Sequence, residues 1–146
     1  MTIFLQHTLE ASFIGFRQTS WHTQTSFKIN TNKLLEDDYL SILAWINQAS
    51  FIGIEITNKD IRWIKCYHNN KEILKTINHE KEIFHVSIQT DDQDYEFQIE
   101  DTKMTINGRI ISPDLNDAHT GVMFGFSGYS KKQSSILVSE FQHISK

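Results

Sequence analysis

The residues able to do acid–base work are scattered through this chain. Two carboxylates cleave a glycosidic bond with retention when they converge to about 5 Å. A Glu-x-Asp-x-x-Glu run would set three such groups on one strand face, and no such run occurs. Glu36-Asp37-Asp38 is followed by Ser41, and Asp94, Glu96 and Glu100 flank Gln98 on a very polar face, which reads as solvated. Glu55, Glu96 and Glu100 are the candidates for a small glycan-cleaving site, chosen because they lie on strands. Gly125-Phe126-Ser127-Gly128-Tyr129 misses a nucleophile elbow, which needs glycine where Tyr129 stands. Gly121, Gly125 and Gly128 do not match a phosphate loop and read as strand and turn glycines.

Metal chemistry is equally thin. The seven histidines contain no His-x-His or His-x-x-x-His pair. Asp91-Asp92-Gln93-Asp94 reads as a solvated acidic loop, and no Asp-x-Asp-x-Asp run argues for calcium. No cofactor is expected, and calcium stays an open alternative that no motif supports. Cys66 is the single cysteine, so no internal disulfide can form, and it reads as a small core or edge residue.

The aromatic residues offer a different chemistry. A tryptophan stacks on the C–H face of a sugar ring, although on an alternating strand it is more often core. Trp21 shares a face with Phe27 and Ile29, so it is assigned to the core. Trp45, Trp63 and Tyr67 are the candidates for carbohydrate contact. Trp63 and Tyr67 share a strand face with Ile61 and Lys65.

The elements that must position these residues are strands. Period-two alternation runs through Thr19–Ile29, Phe84–Gln89 and Tyr95–Glu100. Tyr39–Ile46 alternates two sets that are both mostly apolar, so it is expected to be covered on both faces. Ile52, Ile54 and Ile56 form another core face. Turns are expected at Asn58-Lys59-Asp60, Asn69-Asn70 and Asn107-Gly108, with Gly121–Phe126 and Ile136–Ile144 as the last strands. Short helical turns are expected at Asn32–Asp38 and Pro113–Asp117. Ten to twelve short strands at hairpin spacing predict an all-β fold, a two-sheet antiparallel β-sandwich or jelly roll.

Composition sets the bounds. A chain of 146 residues with 39% apolar and 12% aromatic residues fits one globular domain spanning residues 1–146. A net charge of −4 and unclustered basic residues, of which Lys131-Lys132 is the densest pair, argue against nucleic acid. No apolar run approaches a membrane span, and the first residues lack the pattern of a signal peptide, so a cytoplasmic location is expected.

Several segments together resemble one family. Ala11 to Thr25, with Arg17-Gln18 ahead of an alternating Thr-rich strand, looks like the early strands of the concanavalin A-like sandwich that follows the catalytic propeller in family 43 β-xylosidases. Tyr39–Ile56, with Asn47-Gln48 between apolar strands, is similar to that family's strand, amide turn and strand, with the amides reversed. Tyr95-Glu96-Phe97, His119-Thr120-Gly121-Val122-Met123-Phe124-Gly125 and the closing Phe141 match further pieces in order. Leu137, Val138 and Ser139 stand where the family carries an acidic Asp-Phe-Asp, and Met104 stands in place of a tryptophan.

The resemblance implies a concanavalin A-like jelly roll. In the family the catalytic carboxylates sit on the propeller, so none is carried onto this sequence. It implies a non-catalytic accessory or carbohydrate-binding domain, with a xylo- or arabino-oligosaccharide or a catalytic propeller chain as partner. The alternative is a structural domain that self-associates as a homo-oligomer or docks on a separate catalytic chain. The abrupt start before Ile3-Phe4-Leu5 suggests a separately encoded or truncated part of a two-domain enzyme.

Overall fold

A computed structural model describes residues 2–5, 14–18, 22–112, 115 and 121–145. The strands in chain order are β1 (Thr2–Phe4), β2 (Ile14–Arg17), β3 (His22–Asn30), β4 (Tyr39–Asn47), β5 (Ser50–Ile56), β6 (Asp60–Tyr67), β7 (Asn70–Asn78), β8 (Ile83–Asp91), β9 (Asp94–Ile99), β10 (Thr102–Asn107), β11 (Met123–Tyr129) and β12 (Ser135–Ser145). They form two antiparallel six-stranded sheets. Sheet A has the order β1-β12-β3-β8-β9-β10, and sheet B the order β2-β11-β4-β5-β6-β7.

Alternation explains the core. Phe27 and Ile29 of β3, Phe84, Val86 and Ile88 of β8, and Tyr95, Phe97 and Ile99 of β9 turn to the interior from sheet A. Leu40, Ile42 and Ala44 of β4, Ile52, Ile54 and Ile56 of β5, and Ile61 and Trp63 of β6 meet them from sheet B. Each of the larger aliphatic and Phe side chains contributes roughly 1.5–3 kcal/mol relative to exposure. Where polar residues take inward positions they pair: Thr23 and Thr90 face each other across β3 and β8 with their hydroxyls 2.8 Å apart.

The two-sheet sandwich agrees with the sequence reading, and β4 is covered on both faces as its double apolar alternation predicts. Asn69-Asn70 does mark a turn: His68 and Asn69 both adopt positive φ (47° and 68°), the backbone of a two-residue hairpin. Other local expectations give way. Asn107-Gly108 does not make a tight hairpin turn; the Asn107 side chain accepts from Arg109 N and caps a 3₁₀ turn over Gly108–Ile111. The segment Asn32–Asp38 folds as turns rather than helix, with an Asp38 carboxylate oxygen accepting from Leu35 N at 2.9 Å. Trp21 and Pro113–Asp117, apart from Leu115, lie outside the described residues.

Candidate functional site

The outer face of sheet B carries the most unusual surface. Register places its outward residues in rows that cross β11, β4, β5 and β6. Met123, Trp45, Phe51 and Cys66 form one row. Gly125, Leu43, Gly53 and Ile64 form the next, then Ser127, Ser41, Glu55 and Arg62, with Tyr129 beside Tyr39 at the end. The face therefore grades from apolar to charged along the strands.

Glycine at 125 and 53 leaves the middle row low on either side of Leu43. At Gly53 the need is steric, because a Cβ there would sit 2.1 Å from the Ile42 carbonyl oxygen. Leu43, Ile64 and Cys66 are buried although they point away from the main core. Trp45 is half-buried and stacks on Phe51, its direct cross-strand partner, with ring centroids 6.1 Å apart. Tyr39 stacks on Tyr129 in the same way.

Glu55 anchors the charged end. Its side chain is only 6% exposed, with Lys71 Nζ 2.7 Å from one carboxylate oxygen and Arg62 Nη1 3.5 Å from the other. Arg62 also pairs with Asp60 at 3.1 Å. A buried carboxylate must be compensated in this way. Burial, and then the Glu55 and Tyr129 charges, raise the Tyr39 hydroxyl above its ordinary range. Beside this cluster lies a cavity of about 280 Å³ bordered by Tyr39, Glu55 and Arg62 together with Asp38 and Asp60.

The structure separates the expected carbohydrate-binding trio. Trp63 is fully buried between the sheets, and its indole N–H donates to the Phe97 carbonyl at 2.9 Å, so it belongs to the core and cannot stack on a sugar. Tyr67 follows the Trp63 side of β6, opposite in parity to Trp45, and stacks on His68 at 3.9 Å. Trp45 alone of the three stands on the outer face of sheet B. Alternation along β4 already sets Leu43 on the Trp45 side, whereas Phe51 and Ile64 join them only through cross-strand register, which no spacing within one strand reveals.

The candidate carboxylates are separated as well. Glu55 lies on sheet B, whereas Glu96 and Glu100 belong to the β9 region of sheet A, so Glu55 cannot converge with either across the sandwich. Glu100 Oε1 accepts from His85 N at 2.9 Å. Ser127 sits buried in the middle of β11 opposite Ser41, in strand geometry and not at an elbow. Cys66 is buried, and that burial pushes its thiol up. His22 meets Asp91 at 3.0 Å and Asp92 at 3.7 Å, bringing together three exposed potential ligands that no local sequence spacing indicates.

The sandwich has known counterparts. It is similar to the K247S mutant of the family 43 glycoside hydrolase protein BlXynB from Bacillus licheniformis, with a TM-score of 0.85 and 11% identity over 99% of this chain and 32% of that one. It is similar to a xylan β-1,4-xylosidase from Bacillus halodurans C-125, with a TM-score of 0.80 and 14% identity over 97% of this chain and 32% of that one. A functionally unknown protein from Saccharomyces cerevisiae matches with a TM-score of 0.64 and 12% identity, over 99% of this chain and 83% of that one. At these identities the likeness shows the fold. No curated protein matches the sequence. The chain spans about a third of the length of the two bacterial structures. The family model for the β-xylosidase C-terminal concanavalin A-like domain matches residues 4–145, and the chain belongs to that family.

Proposed function

We propose that this chain is a non-catalytic accessory sandwich that seats the outer face of sheet B against a catalytic domain of the family 43 type. The observation that carries this reading is the half-buried Trp45–Phe51 stack, which with Met123 in the same row leaves apolar side chains partly open on the outer face of sheet B. A sheet face that meets only water alternates to polar side chains. This one keeps an apolar half, as interface centres do. The Glu55–Arg62–Lys71 group would form its polar border.

The test is co-elution of the purified chain with a separately produced family 43 propeller. Association lost in Trp45→Ala supports the reading, and independent elution at high concentration counts against it. The accessory role also carries the expectation of no sugar release from aryl xylosides or arabinosides by the purified chain. Self-association through the same face is the second reading. Trp45 favours it as well, and a dimer that Trp45→Ala dissociates would replace the propeller with a second copy.

A further inference from the structure

We propose that the outer face of sheet A, opposite the docking face, holds a binding groove for a neutral glycan chain. The groove follows from register. Gln142 of β12, Ser26 of β3, Ser87 of β8 and Gln98 of β9 stand side by side in one row. The two short serines form its floor, and the glutamines rise at either end. On one side the next row holds Gln24 and Gln89; on the other, Lys28 and His85. The bulge between Ser139 and Gln142, where Glu140 takes a positive φ of 54°, brings Glu140 into the wall. The result is a groove of about 460 Å³, within the size range of small-molecule sites.

Its lining selects the ligand class. Glu100 and Glu140 line the groove, whereas Lys28 stands in the flanking row and does not line it, and this balance disfavours an anion. The lining is mixed: Phe27 and Val86 stand among the amides and hydroxyls, and the exposed Ile144 in the Gln24 row adds an apolar edge of the kind a sugar's C–H face meets. Amides and hydroxyls that both donate and accept suit the vicinal hydroxyls of a sugar. Among the described residues, the side chains of Gln24, Ser26, Ser87 and Gln142 make no hydrogen bond to the protein. Gln98, by contrast, is held in place: its Nε2 donates to the Glu100 carbonyl at 2.8 Å, and the residue lines the groove. The choice of xylan fragments as probes rests on the accessory reading above; the groove itself does not.

The experiment titrates the isotopically labelled chain with xylohexaose and with an arabino-oligosaccharide, following backbone and side-chain amide resonances. The expected result is saturable shifts at Ser26, Ser87 and Gln98. The double variant Gln24→Ala/Gln142→Ala should bind at least about tenfold more weakly, the loss of one to two neutral hydrogen bonds. Its thermal midpoint should be unchanged, since neither side chain bonds to the protein. No shifts at millimolar glycan, shifts centred on the Trp45 indole, or unchanged affinity in the double variant would each overturn the proposal. Co-elution with a propeller reports on sheet B alone, so failure of one reading is distinguishable from failure of the other.

Discussion

The indole nitrogen of Trp63 donates across the interior to the carbonyl of Phe97 at 2.9 Å, linking β6 of sheet B to β9 of sheet A. Most contacts between stacked sheets are non-directional packing, whereas this bond fixes one point of each sheet against the other. Trp63→Phe keeps an aromatic ring but leaves a buried carbonyl without its donor, at a cost of about 1–3 kcal/mol. Trp63→Ala adds a cavity and should cost about 3–5 kcal/mol. Urea unfolding of the two variants checks both. Equal, small losses would mean that the bond contributes nothing.

Tyr95 gives the fold an alkaline limit. Burial raises its hydroxyl from 10.0 to about 12, partly offset by its hydrogen bond to Gln18 at 2.6 Å. The neutral form is therefore favoured in the folded state, and the stabilisation is fully present below pH 10. It is lost as pH rises from about 10 to about 12, because the unfolded chain gives up the proton first. The rise corresponds to about 3 kcal/mol. Denaturant midpoints at pH 8 and pH 11 should differ by more in the wild-type protein than in Tyr95→Phe.

Removal of Glu55 and removal of its partners should not be equivalent. Lys71 is 43% exposed and Arg62 33% exposed, so both can turn to water if the carboxylate is neutralised. Glu55→Gln should then cost only about 1 kcal/mol. Arg62→Ala/Lys71→Ala leaves a buried carboxylate uncompensated and should cost about 3 kcal/mol or more. Chemical denaturation of the two variants at neutral pH measures this asymmetry, and similar losses would refute it.

Gly53→Ala tests how closely β5 approaches β4. The added methyl carbon would lie 2.1 Å from the Ile42 oxygen and 3.0 Å from the Leu43 Cα, both backbone, at a φ of 155°. Relief requires the central strands of sheet B to part, so a loss of about 3 kcal/mol is expected from strain and broken ladder bonds. A thermal midpoint within a degree or two of wild type would show that the sheet yields more readily than the register suggests.

Where one face of a strand is plainly polar, the sequence reveals which side turns inward. Phe84-Val86-Ile88 and Tyr95-Phe97-Ile99 are of this kind, and both lie in the core. The logic fails on β6, where Ile61 and Trp63 on one side face Ile64 and Cys66 on the other and all four are buried. Alternation cannot decide there which side is the interior, which is why Trp63 reads as a ligand candidate in the sequence and stands in the core of the structure. The Glu55 group was hidden because its members come from β5, β6 and β7 and meet only through cross-strand register. The sheet A groove was hidden by its bulge, which shifts the phase of β12 without any glycine or proline to mark it.

Strand order also decides when the molecule can be completed. β1 joins sheet A through β12, and β2 joins sheet B through β11. The first two strands of the chain thus depend for their hydrogen bonds on the last two. During synthesis they precede the other ten strands but lack these partners until residues 123–145 leave the ribosome. Contacts this distant in sequence make folding slow. The segment Ile14–Arg17 is therefore without its β11 partner while the intervening residues are made, a window in which chaperones or a neighbouring nascent chain can compete for it.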